Sequence, residues 1–369
     1  MVQIPLLKLF TNITLSVARG FHLCRLLISV KMNNIIRNTV LLAMSLLAAF
    51  LLGELVVRVF ISEPIKPRFV IDSGYGVRAN EPNISTVHAW PGEYEVTVSN
   101  NAAGMRGSKD YVQKKDRGVV RIALLGDSFV YGHGVNDNEV VSFILEQYLN
   151  ESRSQTRYEV LNFGVSGFGQ AEEFMTYRKL VRKYEPDLVV IFYFNNDVTN
   201  DAVSNLFDLA ESGLLRETGN QYLPGVKARE LLYSMAPVRF LFEHSQLWNM
   251  LRNRLSALVQ NHLMKEKGFL FYDDKNEKAV ELNQGILREF VRVIKQDGAQ
   301  PVLFLIPDKE MVSNFSMSGN ELKRMDLLVL DGAHILESTD YYEQDGHWRN
   351  SGHRKSAQAL RKLIEPADS

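Results

Sequence analysis

VVRIALLG (119–126) is a short apolar run that ends in glycine and is followed by a loop and the helical stretch VVSFILEQYL (140–149). An apolar run of this length, bounded by a breaker, reads as a buried strand. The same alternation continues outward toward the C-terminus. YEVLNFG (158–164) reads as a second strand, with GQAEEFMTYRKLVRKY (169–184) as its helix, and DLVVIFYF (187–194) as a third strand apolar enough to be buried on both faces. A helix at 279–296, the strand PVLFLIP (301–307), a strand DLLVL (326–330) and a terminal helix from Gly352 complete the series. Strands alternating with helices predict an α/β domain whose parallel sheet is covered by helices on both faces.

Upstream, residues 61–118 form a polar stretch dotted with Pro and Gly. In it YEVTVS (94–99) alternates as a half-buried strand should, and SNNAAGMRG (99–107) reads as a loop. This lead-in is expected to cover one edge of the domain, which itself spans 119–369. An insertion of mixed helical character occupies about 200–275. Its Phe207, Leu231, Tyr233, Phe240, Leu241, Trp248 and Leu251 recur near helical spacing. Such stripes usually face a core, so packing is favoured over a substrate wall.

The N-terminal part carries a signal of location. TVLLAMSLLAAFLLGELVV (39–57) has the length needed to cross a hydrocarbon core, and Val40 to Gly53 contain no charge. Glu54 and Arg58, four apart, share a helix face near its end. Lys8, Arg19, Arg25, Lys31 and Arg37 precede the span, while Arg58, Lys66 and Arg68 follow it. The expectation is a transmembrane anchor at 39–60, preceded by a cytoplasmic segment 1–38, with the remainder outside. A cleaved signal peptide is the rival, disfavoured by the long apolar region and the lack of a clear small-x-small site. Met32 would also make a conventional start for such an anchor, leaving the status of 1–31 open.

Composition narrows the partners. Lys and Arg number 42 against 43 Asp and Glu, which argues against a nucleic-acid binder held by phosphate contacts. The single Cys24 excludes an intramolecular disulfide and a cysteine metal cage.

In an open α/β sheet, ligands bind beyond the carboxyl ends of the strands, so chemistry should lie just after the apolar runs. Gly126-Asp127-Ser128 follows the first run, presenting a hydroxyl and a backbone N–H; taken alone it is also an ordinary helix cap. Asn162 to Gly167 follow the second, where the Gly167 N–H is a candidate donor or simply part of a βα loop. Asn195-Asn196-Asp197 closes the third, with Asn196 as a side-chain donor or as part of an Asx turn. Asp345-Gly346-His347 lies in the last loop. A serine hydroxyl needs a base within hydrogen-bond reach, and a carboxylate to hold that base's tautomer.

Together these blocks, in the order Ser, Gly, Asn, Asp/His, resemble the SGNH (GDSL) hydrolases over about residues 119–365, with SNNAAGMRG similar to the lead-in of membrane-anchored bacterial members. The resemblance implies a flavodoxin-like three-layer α/β/α fold and a serine-dependent ester hydrolase that needs no metal or organic cofactor. Ser128 would be the nucleophile, His347 the base and Asp345 its orienter. Ser128, Gly167 and Asn196 would form the oxyanion hole.

Two positions depart from the family pattern. Phe194 stands where the third block usually has glycine. Asp345 and His347 are separated by one residue rather than two, whereas Asp331-Gly-Ala-His334 has the usual spacing. Asp345/His347 is preferred because it immediately precedes the C-terminal helix, where the family's histidine lies; His353 reads as a helix-start residue. His133 is expected to line the pocket. Phe168, Tyr193 and Trp348 are placed evenly between sugar stacking and core packing. The expected substrate is an acylated small molecule or a cell-surface or exported glycan, with acetyl as the acyl group. Transfer of the acyl group to a sugar, or a silent glycan-binding scaffold, are the alternatives.

Overall fold

The computed structural model describes residues 34–61, 63–66, 69–151, 156–266, 276–313, 315, 317 and 319–365. The expectations for residues 1–31 lie outside them. The chain divides after Ile61 into two compact units. The first contains α1 (Asn34–Val56), which continues as a wider π-helical turn through Ile61. It is long and apolar enough to cross a membrane, a test that a signal sequence also passes. Arg58 Nε donates to Glu54 Oε1 at 2.6 Å, the expected i,i+4 pair.

The second unit runs from residue 62 to the C-terminus, and residue 119 begins the first strand of its five-stranded sheet. It opens with two antiparallel hairpins, β1 (Val70–Asp72) with β2 (Arg78–Asn80) and β3 (Ser85–Trp90) with β4 (Tyr94–Ser99). The alternating units follow. They comprise β5 (Val119–Leu125), α2 (Ser128–Tyr131), α3 (Val141–Asn150), β6 (Arg157–Asn162), α4 (Gln170–Lys179), β7 (Leu188–Tyr193) and α5 (Asp197–Ser204). The insertion adds a hairpin, β8 (Phe207–Leu209) with β9 (Leu215–Glu217), and three helices, α6 (Val226–Ser234), α7 (Ala236–His244) and α8 (Gln246–Glu266). The chain then returns through α9 (Glu277–Gln296), β10 (Gln300–Leu305), α10 (Gly319–Arg324), β11 (Leu328–Asp331) and α11 (Asn350–Ile364).

Five strands form one parallel sheet in the order β11-β10-β7-β5-β6. Numbered within the sheet this is 2-1-3-4-5, the flavodoxin-like order, whose direction reverses between β5 and β7. Pairing sets Leu124 beside Asn162 and Leu125 beside Ile191. The loops leaving β5, β6 and β7 therefore emerge side by side at the crevice.

Period-two alternation distributes the strand side chains between two cores. Ile122, Leu124, Val190, Phe192 and Phe304 meet Ile144 and Leu145 of α3 and Leu360 of α11. Ala123, Leu125, Ile191 and Leu303 meet Phe174 of α4 and Ile286 and Phe290 of α9. In the insertion, Phe207 is core and Phe242 packs with Tyr233 and Trp248. Leu231, Phe240 and Leu251, by contrast, are exposed, so the expected packing role fails for these three. Helical spacing marks a side chain's face and does not say what that face meets.

Asp201 ties the second helical layer together. Its Oδ1 accepts from Ala171 N and its Oδ2 from Asn283 Nδ2, both at 2.8 Å. Burial raises its carboxyl to about 7. The folded chain thus keeps a proton that an unfolded one releases near pH ~4. The stability this group contributes is complete below that pH and is lost as pH rises through about 7. Asp201→Asn should shrink the drop in melting temperature between pH 5 and pH 8, and an unchanged drop would refute the assignment.

Candidate active site

Gly126 ends β5 in very close quarters. A Cβ there would lie 2.3 Å from Val130 Cγ2 and 3.1 Å from Phe192 Cβ, so only glycine lets the chain turn over the sheet end. Asp127 caps α2, its carboxylate accepting from Phe129 N at 2.9 Å. Ser128 is then the first helical residue, whose N–H has no partner within the helix.

The last loop folds back as a short ribbon, with Tyr342 N donating to His347 O at 2.8 Å and Tyr341 bridging Trp348. Gly346 sits at φ +77°, a left-handed turn that brings its two neighbours' side chains together. His347 Nε2 lies 2.8 Å from Ser128 Oγ, and His347 Nδ1 lies 2.8 Å from Asp345 Oδ2. The imidazole is flanked by the rings of Phe129 and His133, with centroids 5.0 and 4.9 Å away. Burial opposes ionisation of Asp345. The hydrogen bond and charge of His347, then the Tyr94 hydroxyl, outweigh it and hold the carboxyl below its usual range.

The hairpin β3–β4 reaches the same loop. Tyr94 donates its hydroxyl to Asp345 Oδ2 at 2.9 Å. Glu93 accepts from Gln344 N at 2.7 Å and from Asp345 N at 2.9 Å. Burial, reinforced by the charge of Asp345, raises the Tyr94 phenol and keeps it a donor. The phenol has one proton, so the His88 Nε2 lying 3.2 Å from its oxygen must be the donor in that contact. Burial lowers His88 to about 4, which leaves it neutral near pH ~7. His133 is held well below its ordinary value, by burial first and then by the neighbouring imidazoles of His88 and His347, beside which a further positive charge is disfavoured.

Arg78 supports the loop after β6. Its guanidinium donates to Ser166 O at 3.2 Å and Gly167 O at 2.8 Å, and pairs with the buried Glu172 at 3.0 Å. Asn196 Nδ2 is 3.5 Å from Asp127 Oδ2, at the limit of a hydrogen bond.

The remaining expected residues fall elsewhere. Phe168, Tyr193 and Trp348 are 1, 2 and 0 % exposed and belong to the two cores, which removes them as stacking platforms. His133 does sit against His347. Asp331 accepts from Ser313 Oγ and Ala333 N, while His334, its side chain 85 % exposed, lies 3.9 Å from it. His353, in the first turn of α11, is buried against Trp348 and accepts from Val141 N at 3.3 Å. Tyr94, Glu93, His88 and Arg78 were not legible as site residues. The strand pattern at 94–99 marked a strand and nothing more.

No curated protein sequence matches the chain. Among solved structures it is similar to Axe2, an acetylxylan esterase from Geobacillus stearothermophilus (13 % identity, 66 % of this chain and 94 % of that one covered, TM-score 0.37). It is likewise similar to the psychrotrophic esterase EstA from Pseudoalteromonas sp. (14 %, 67 % and 97 %, 0.37). A third is LAE5, an alpha/beta hydrolase enzyme from the metagenome of Lake Arreo, Spain (13 %, 68 % and 97 %, 0.39). The family model described as GDSL-like Lipase/Acylhydrolase matches residues 122–340, from within β5 to seven residues short of His347. That match spans more than half of the chain, including the turn that delivers Ser128, and the protein belongs to the GDSL-like lipase/acylhydrolase family.

Proposed function

We propose that the protein is a serine esterase that removes a small acyl group, acetyl foremost, from a cell-surface or exported glycan. The observation that carries the chemistry is the unbroken line Ser128 Oγ, His347 Nε2, His347 Nδ1, Asp345 Oδ2, with both contacts at 2.8 Å. Ser128 Oγ attacks the ester carbonyl as its proton passes to His347 Nε2. The imidazolium so formed is stabilised by Asp345. Collapse of the tetrahedral intermediate expels the alcohol, which takes the proton from His347 and leaves an acyl-serine. Water, deprotonated by the same imidazole, then releases the acid and restores the hydroxyl.

The oxyanion is bound by the N–H groups of Ser128 and Gly167 and by the Asn196 amide. Arg78 fixes the Gly167 loop through two carbonyls. The Asn196 amide is held only by a 3.5 Å contact, so turning it toward substrate sacrifices little. Helix α1 is the retained single-pass anchor, with the following domain outside the cytoplasm. The basic residues upstream of the apolar span support that orientation.

The test is covalent. A fluorophosphonate should phosphonylate the full chain once, at Ser128, and hydrolysis of p-nitrophenyl acetate should fall in proportion to labelling. Labelling elsewhere, or full activity after labelling, would remove Ser128 from the mechanism.

A further inference from the structure

Beyond Ile61, twelve large apolar side chains are exposed among the described residues, and six of them lie on or beside the three insertion helices α6–α8. Leu231, Met235, Phe240, Leu251, Leu255 and Leu258 are between 44 and 68 % exposed. Leu251, Leu255 and Leu258 follow the i, i+4, i+7 spacing of one helix face. Large apolar side chains left exposed along one helix face and on the two helices before it mark an interaction surface.

What covers this face is indicated by the chain itself. Asn253 Nδ2 donates to Glu63 Oε1 at 2.9 Å, and Arg252 Nη2 to Lys66 O at 3.3 Å. Glu63 and Lys66 are two and five residues past the end of the apolar helix at Ile61. Both bonds fasten α8 to the segment that opens the second unit, the part of that unit next in sequence to the apolar span. Charge agrees with the same occupant. From 226 to 266 there are six Lys or Arg against three Asp or Glu, in a chain whose net charge is −1, and of the six Arg229 is already paired with Glu81. Exposed leucines beside a basic excess are the composition of helices that lie in an anionic lipid interface.

We propose that the exposed face of α6–α8 docks on the anionic surface of the bilayer that holds α1. The proposal rests on reading α1 as a retained anchor. It also narrows the substrate. Lys66 Nζ lies 4.1 Å over the Trp90 ring, and Trp90 Nε1 donates to Gln344 Oε1 at 3.2 Å, one residue from Asp345. Lys66, whose carbonyl accepts from Arg252, is thus linked through Trp90 to the loop of the hydrogen-bonded site. The acyl esters it meets are those displayed at the membrane face, as on a lipid-linked or membrane-attached glycan.

The experiment uses the full chain with Cys24→Ser, in nanodiscs of phosphatidylcholine and phosphatidylglycerol. Single cysteines Leu255→Cys and Leu214→Cys each carry an NBD probe; Leu214, in the turn between β8 and β9, is the exposed reference. Spin-labelled lipid should quench the probe at 255 at least threefold more than that at 214. Equal, weak quenching overturns the proposal, as does a probe at 255 shielded from water but not quenched, which would mean that a second copy covers it. A chain recovered outside the discs overturns the anchor reading itself, a separate and visible failure. Leu255→Glu with Leu258→Glu should abolish phosphatidylglycerol-dependent hydrogen-exchange protection of α8 while leaving hydrolysis of soluble p-nitrophenyl acetate unchanged.

Discussion

Ser128→Ala and His347→Ala should each lower kcat for an activated acetyl ester by ~10⁴- to 10⁶-fold, and the double variant should lose no more than the worse single one. The reason is that the two groups act as one device. Without the imidazole, the hydroxyl has no acceptor for its proton at the 2.8 Å position that Nε2 occupies, and without the hydroxyl there is nothing to activate. His334→Ala is the paired control. Its ring is solvent-exposed beside Asp331, whose carboxylate already caps the following turn, so turnover should stay within about twofold of wild type. Steady-state kinetics on the four proteins decide the matter. A collapse of activity in His334→Ala with His347→Ala intact would transfer the base to the Asp331/His334 pair.

Trp348→Ala should destabilise the fold by ~3–5 kcal/mol, the range for removing a buried aromatic side chain. The indole is fully buried and packs against Phe129, Phe192, Phe304 and His353, with centroids 5.2, 6.4, 6.0 and 5.4 Å away. The cavity left would open between the sheet and the ribbon that carries His347. Urea unfolding should show a lowered midpoint with an unchanged slope. Trp348→Phe, which keeps a ring in the same space, should recover a good part of the loss. If Trp348→Ala left the midpoint in place and instead raised KM for a sugar ester, the residue would be a binding platform after all.

The sheet was legible because its strands are continuous apolar runs ending at breakers, and β5, β6, β7, β10 and β11 all formed where that pattern placed them. The hydrogen-bonded line of Ser128, His347 and Asp345 was legible because its members stand at a strand end and in the final loop. Nothing in the spacing of Asp345 and His347 revealed Gly346's left-handed turn as the reason one intervening residue suffices. The aromatic residues near the motifs misled for a physical reason. Next to the carboxyl end of a sheet, a large ring can turn inward to fill the core as readily as outward to meet a ligand. Leu231, Phe240 and Leu251 failed in the opposite sense, since helical spacing reports that a face is apolar and not what it faces. The contribution of β3–β4 was invisible because Tyr94 and Asp345, 251 residues apart, meet only through the tertiary fold.

That hairpin changes what counts as a transplantable unit. A fragment starting at Val119 would contain the whole family-model match together with Ser128, His347 and Asp345. It would lack the phenol that shares Asp345 Oδ2, the carboxylate that clasps two backbone N–H groups of the final loop, and the guanidinium under the Gly167 loop. Domain swaps and minimal expression fragments built on this scaffold should therefore begin before Val70. The segment that looks like a spacer fastens the loop that carries Asp345 and His347.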